Sequence, residues 1–326
     1  MGYKSRLSRR QLIGTPFLIA VSRAAHAAER LIGWVSPDSP EAAEPFLKVF
    51  RAALATGVEP GSAPIRILER FANDSIDAIP AFVAELQQLG VRLIVSHGAA
   101  TLPVLRAKPS IPVIFGFSAD PVVAGIAQSL ARPGGMASGV TFMSLELNPK
   151  RIGLVRDVLP NCQSIGLLSY ARHVGEENEI VASQQAADKL GIHLNVQRVQ
   201  EAGGVMPALS AALGAGAQAI VMLPSPPMVQ QASAAAAECI ARRVALVSGW
   251  SSIARSGALM TYGPRLEAAY AQVATYVVKV LKGAEVATLP IERPTIFELV
   301  INMRTAKALG VKIPLSLLGQ ANEMIE

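Results

Sequence analysis

One passage of this chain is written twice, at residues 92–120 and again at 217–252. Each copy runs apolar strand, small polar loop, Ala-containing helix, apolar strand, then a loop with an aromatic and a Ser. The first copy supplies the strands RLIVS and IPVIFGF with the loops HGAAT and SADP. The second supplies AIVML and VALVSGW with PSPP and SGWSS. Strands that are apolar without alternation, interleaved with helices, belong to parallel sheets covered on both faces. Two such units predict two similar α/β lobes. Ligands on sheets of this kind sit beyond the carboxyl ends of the strands. Two lobes that face each other by those ends enclose a cleft.

The 326 residues suffice for two domains of ordinary size. Half of them are apolar and 17% are charged, which fits large cores and excludes a disordered chain. No apolar run reaches the roughly 20 residues a membrane-spanning helix needs. The formal charge of +6 is concentrated at one end. Five of the 30 Lys and Arg fall in the first 28 residues, which hold no acid, leaving 25 basic against 24 acidic residues. That remainder carries no clustered basic footprint, so nucleic acid is not an expected partner.

The beginning has the layout of an export signal. A basic start precedes the apolar stretch 12–21 and the small-residue site Ala25-His26-Ala27, with cleavage expected after Ala27. Ser8-Arg9-Arg10 resembles a twin-arginine signal, with Leu12, Ile13 and Gly14 departing from that pattern. The ordinary secretory route stays open. Either route leads to the periplasm, and no Cys stands at the cleavage site to carry a lipid. In an oxidising compartment Cys162 and Cys239 could pair; two buried thiols are the favoured alternative.

Strands are expected at 30–36, 65–71, 165–169, 193–199 and 258–261 besides those of the repeats. Helices are expected at 41–56, 76–89 (capped by Asp74 or Ser75), 122–130, 149–159, 176–190, 206–213, 265–281 and 303–309. Crossings between lobes are read near 140, 262 and 290. The division is then 1–27 for the export signal, 28–142 with 263–290 for the first lobe, and 143–262 with 291–326 for the second.

Signals for catalysis are weak. The chain has no GxSxG elbow, no phosphate-binding Walker loop and no HExxH. The run 214–219 loosely matches a dinucleotide fingerprint but precedes its strand, so the phosphate geometry fails. Neither His97, His173 and His193 nor the two cysteines have metal-ligand spacing. No metal and no cofactor are expected. What stands out is placement. Aromatics make up only 5% of the chain, yet Trp34, Phe117, Tyr170, Trp250 and Tyr262 lie at or just past strand ends. Rings gathered there suit a solute held by stacking and edge contacts.

The loops beside them offer backbone hydrogen bonds. His97, Gly98, Ala99, Ala100 and Thr101 lead into a helix N-terminus, whose free N–H groups favour a carboxylate. Ser118-Ala119-Asp120-Pro121 does the same. Asp120 either pairs with a ligand ammonium or caps its helix. Pro224-Ser225-Pro226-Pro227 is the matching loop of the second lobe, stiffened by its prolines.

Three segments carry a family resemblance: SADPVVAGIAQSLARPGGMASGVT at 118–141, IVSHGAAT at 94–101, and LPIERPTIFELVINMRTAKALGVKIP at 289–314. They resemble blocks of the ABC-transporter solute-binding proteins, the group that includes receptors for tryptophan and other aromatic amino acids. Met136 stands where that family usually has Asn, and His97 where many members carry a small residue. The resemblance implies an α/β fold of the periplasmic-binding-protein type I class, two Rossmann-like lobes with parallel sheets joined by a three-crossing hinge. It also implies capture of a small solute without chemistry and delivery to an ABC permease driven by a cytoplasmic ATPase. The expected receptor is a monomer. An aromatic or apolar amino acid or an aromatic acid is the favoured solute. By position the cleft residues are Ser36, Asp38, Ser39, His97, Gly98, Ala99, Thr101, Phe117, Ser118, Asp120, Ser169, Tyr170, Pro224, Ser225, Ser248, Trp250 and Tyr262. Two alternatives share the fold: an exported sensor docking on a membrane signalling protein, and an enzyme that would depend on His97 and Asp120.

Overall fold

The computed structural model describes residues 1–2 and 29–326 apart from Pro60 and Asp74, so the expected export signal lies almost wholly outside the described residues. The first lobe is built from β1 (Arg30–Ser36), α1 (Pro40–Gly57), β2 (Ile65–Phe71), α2 (Ile79–Gln88), β3 (Ile94–His97), α3 (Thr101–Arg106), β4 (Val113–Phe117) and β5 (Ala137–Thr141). Its five strands stand in the order β2-β1-β3-β4-β5, all parallel.

The second lobe follows with α4 (Ser144–Val158), β6 (Ser164–Tyr170), α5 (Glu176–Lys189), β7 (His193–Val199), α6 (Val205–Gly214), β8 (Ala219–Met222), α7 (Pro226–Gln230), α8 (Ala232–Ala241), β9 (Ala245–Ser248), α9 (Ser251–Arg255) and β10 (Met260–Pro264). The chain then returns to the first lobe with α10 (Leu266–Leu281). It goes back to the second with β11 (Phe297–Asn302), α11 (Met303–Leu309), α12 (Leu315–Leu318) and β12 (Glu323–Ile325). The second sheet has the order β12-β11-β10-β9-β8-β6-β7, with β11 antiparallel to β10. The chain therefore passes between lobes three times: after β5, after β10, and between Glu292, which bridges to Val140 beside β5, and β11.

Burial explains these elements. Strands β3, β4, β8 and β9 are buried at every position, as strands covered on both faces must be. Helix α1 presents Ala43, Leu47, Phe50 and Leu54 on one stripe, and Ser39 caps it by accepting from the Ala42 N–H at 3.3 Å. That stripe packs on α10, which buries Ala269, Tyr270, Val273, Ala274, Tyr276 and Val277. Each large side chain so buried is worth about 1.5–3 kcal/mol. The first lobe thus owes part of its core to a helix that comes after most of the second lobe in sequence.

Three local expectations differ. The segment 122–130 forms turns instead of a helix: Ile126 N–H and Ala127 N–H both reach back to Pro121 O, and Gly125 sits at φ +71°. The helix expected from 76 begins as a 3-10 turn at Ile76–Ala78 without a side-chain cap from Ser75, and Asp74 lies outside the described residues. Residues 137–141 form a fifth strand of the first sheet before the crossing. Cys162 and Cys239 are both free. They belong to separate apolar clusters of the second lobe, one with residues of α4 and α5 and the other with residues of α6 and α8. Burial raises both thiols, Cys239 to about 12.

Candidate functional site

The carboxyl ends of the two sheets face a cavity of about 290 Å³. The first lobe contributes Pro37 and Asp38 after β1, His97, Gly98 and Ala99 after β3, and Ser118 after β4. Phe46 from α1, Tyr270 from α10, Phe142, Ile76, and Leu102, Pro103 and Arg106 of α3 complete that side. The second lobe contributes Tyr170, Arg172, His173 and Val174 after β6, Pro224 to Pro227 after β8, and Trp250 after β9.

On the first-lobe side a buried polar chain fixes one wall. Ser36 Oγ donates to Asp38 Oδ2 at 3.1 Å and accepts from the Asp38 N–H at 3.2 Å. His97 Nε2 lies 3.1 Å from the same Asp38 oxygen, and the Tyr270 hydroxyl meets His97 Nδ1. Burial, with the Asp38 charge added, pushes the Tyr270 hydroxyl well above its ordinary value. The phenol therefore stays protonated and can donate to Nδ1, which leaves the Nε2–H for Asp38. Both ring nitrogens of His97 are thus occupied. Trp34 stacks on the imidazole with centroids 5.8 Å apart, and Phe46 lies 4.8 Å from it. Phe46 also meets Trp250 of the second lobe edge-on at 6.0 Å.

A second polar chain crosses the cleft. Ser118 Oγ of the first lobe lies 2.6 Å from His173 Nε2 of the second. His173 Nδ1 accepts from the Gly175 N–H at 3.3 Å and stands 3.4 Å from Glu179 Oε1, an oxygen with no hydrogen-bond partner. Ser, His and Glu in a row suggest an activated hydroxyl, but the hydrogen-bond directions oppose it. In the tautomer that accepts from Gly175 at Nδ1, the proton is on Nε2 and the imidazole donates to Ser118. The Ser118–His173 bond joins the two lobes. Behind it, Asn148 Nδ2 donates to Glu179 Oε2 at 3.0 Å. Arg151 donates to Asn148 Oδ1 and, at 2.8 Å, to the Tyr262 carbonyl of β10. Burial lowers the Arg151 guanidinium to about 10, while the Glu179 charge works to keep it protonated. The guanidinium packs so closely that a Cβ on Gly249 would lie 2.4 Å from Arg151 Nη2, and one on Gly263 would lie 2.0 Å from Gly249 O. This accounts for the glycine before Trp250 and the one after Tyr262.

Of the residues expected at the cleft, the cavity is lined by Asp38, His97, Gly98, Ala99, Ser118, Tyr170, Pro224, Ser225 and Trp250. The others serve beside it. Ser36 orients Asp38, and Ser39 caps α1. Thr101 Oγ1 pairs with Ser96 Oγ at 3.1 Å. Phe117 is sealed in the first core against Phe115. Asp120 Oδ1 accepts from the N–H groups of Val122 and Val123, so it caps its own turn. Ser169 donates to Glu176 Oε1, and Ser248 donates to the Met222 carbonyl. Tyr262 stacks on Phe297 and takes a bond from Lys150 Nζ, on the hinge side. Trp34 is fully buried beneath His97. Sequence reasoning missed Phe46, Phe142, Tyr270, Arg172 and His173 among others. The last two stand two and three residues past Tyr170, and extending that loop by three residues would have found them. Among the described residues, no group of three or more His, Cys, Asp or Glu is placed to hold a metal.

The sequence profile of the ABC transporter substrate binding protein family matches residues 63–325, and the chain belongs to that family. Among characterised proteins, it is 24% identical over 209 residues to a tyrosine-binding protein of Clostridioides difficile (strain R20291). That match spans 64% of this chain and 59% of the relative, less than two thirds of the relative's length. Among solved structures, an ABC domain in complex with L-Trp from Streptococcus pneumonia superposes with a TM-score of 0.82 at 20% identity, covering 91% of this chain and 100% of that one. The ligand-free, open structure of a substrate binding protein with adhesive properties from Clostridium difficile gives 0.66 at 19% identity, covering 91% and 99%. The fold is that of the two-lobed periplasmic binding proteins.

Proposed function

We propose that this protein is an exported solute receptor. It captures a small organic molecule with an aromatic or apolar side chain, an amino acid or an aromatic acid, and delivers it to an ABC importer. The observation that carries the reading is the cavity between the lobes, ringed by Phe46, Tyr170, Trp250 and Tyr270. About 290 Å³ lies at the low end of small-molecule sites, which begin near 300 Å³, and so suits a single-ring or two-ring solute. Neighbours on the same fold add weight: one relative is named for tyrosine and one structure contains L-Trp. The leader at 1–27 supplies the route to the periplasm, and the lobes divide close to residues 142, 263 and 291. Function then needs only a higher affinity for the closed arrangement than for the open one.

Thermal unfolding of residues 28–326 with L-Trp, L-Tyr, L-Phe and simple aromatic acids tests this. A ligand at about 100 times its dissociation constant stabilises by about 2.7 kcal/mol. Trp250→Ala should weaken calorimetric affinity for the same ligand by about 1–3 kcal/mol, since buried aromatic anchors carry much of a site's binding energy. Silence across the whole series removes the solute class.

A further inference from the structure

We propose that Phe46 sets the upper size of the ligand by closing a second chamber. This rests on the functional reading above and extends it to specificity. A cavity of about 140 Å³ lies behind the main one. It shares only three residues with it, Phe46, Trp250 and Tyr270, so those rings are the partition. Its other walls are Pro45 and Val49 of α1, Leu266 of α10 and Val229 of α7, with Ser252 and Arg255 of α9 and Glu267 of α10 adding polar groups at their side.

The three partition rings are not held alike. Tyr270 is fully buried and its hydroxyl is tied to His97. Trp250 is 8% exposed and caps α9 at a backbone position constrained by Gly249. Phe46 is partly buried, meets the rings of His97, Trp250 and Tyr270 and packs on the first-lobe core, with no polar group to tie it. Removing its ring costs no hydrogen bond and opens one of the three partition rings between the two chambers. The combined space suits an aromatic solute that carries a second ring in line with the first. With Phe46 in place, such a solute meets the edge of the Phe46–Trp250 pair.

The test uses isothermal calorimetry on the parent chain, Phe46→Ala and Phe46→Leu. The probes are L-phenylalanine, L-tyrosine, L-tryptophan, benzoate, phenylacetate, 4-phenyl-L-phenylalanine and biphenyl-4-carboxylate. Far-UV dichroism and urea midpoints establish that each variant is folded. In Phe46→Ala, the affinity of each biphenyl probe relative to its one-ring counterpart should rise at least tenfold, with Phe46→Leu intermediate and L-tryptophan grouped with the short probes. If all probes weaken in parallel in both variants, or the parent already takes the long probes as well as the short ones, Phe46 is no gate and the proposal falls. If the parent binds no probe at all, the functional reading falls and the gate with it. If Phe46→Ala does not fold, Phe46→Leu decides by the same ratio.

Discussion

Ser225 shows most directly what a single side chain in this cleft awaits. It is 3% exposed, lines the cavity, and its hydroxyl has no hydrogen-bond partner. A polar ligand group that pairs with this hydroxyl would gain a hydrogen bond worth about 0.5–1.5 kcal/mol. Ser225→Ala should leave the melting temperature of the free protein unchanged or higher while lowering affinity for the ligand found by thermal screening. Unchanged affinity with lower stability would mean that the hydroxyl serves the fold instead. The same scale shows what the sequence could and could not disclose. Loops after parallel strands are predictable cleft residues, and Asp38, His97, Ser118, Ser225 and Trp250 line the cavity. Which residue of a loop turns inward is not predictable in that way. Ser36 and Asp38 stand two apart, yet one lies beneath the other. Phe46 and Tyr270 sit on helices, where stripe periodicity reads simply as core.

At the scale of elements, the approach of the lobes is set where α5 begins. Gly175 precedes α5, and a Cβ there would stand 2.9 Å from the Ala119 Cβ of the first lobe and 3.1 Å from Glu179 Oε1. The adjoining Ser118–His173 bond needs the same proximity. Gly175→Ala should therefore hold the lobes apart. Small-angle scattering with saturating ligand should show a larger radius of gyration than the parent, and the dissociation rate should rise several-fold. Equal radii and equal rates would show that the contact yields cheaply. Element boundaries were legible in the buried β6 and also in the half-exposed β7, and poorly legible at 122–130. There the periodic Val, Val, Ile and Leu suggested a helix, but Pro121 and Gly125 turn the backbone, and apolar spacing alone does not register that.

At the scale of the whole molecule, the two-lobe plan was readable because a doubled run of unalternating strands and helices fits few architectures besides a pair of covered parallel sheets. The antiparallel pairing of β11 and the short β12 at the far edge of the second sheet were not readable, because such partners are set by the last crossing and not by local pattern. The plan also predicts how the chain fails when shortened. A protein ending at Pro264 lacks α10 and leaves the apolar stripe of α1 uncovered. It should bind hydrophobic dyes and unfold without a cooperative transition, and a sharp melt near that of the full chain would contradict the arrangement. The same dependence reaches back to synthesis. A ribosome must read past codon 281 before the earlier half of the polypeptide can shut its own core, so for most of translation that half is a client for chaperones, waiting on a helix not yet made.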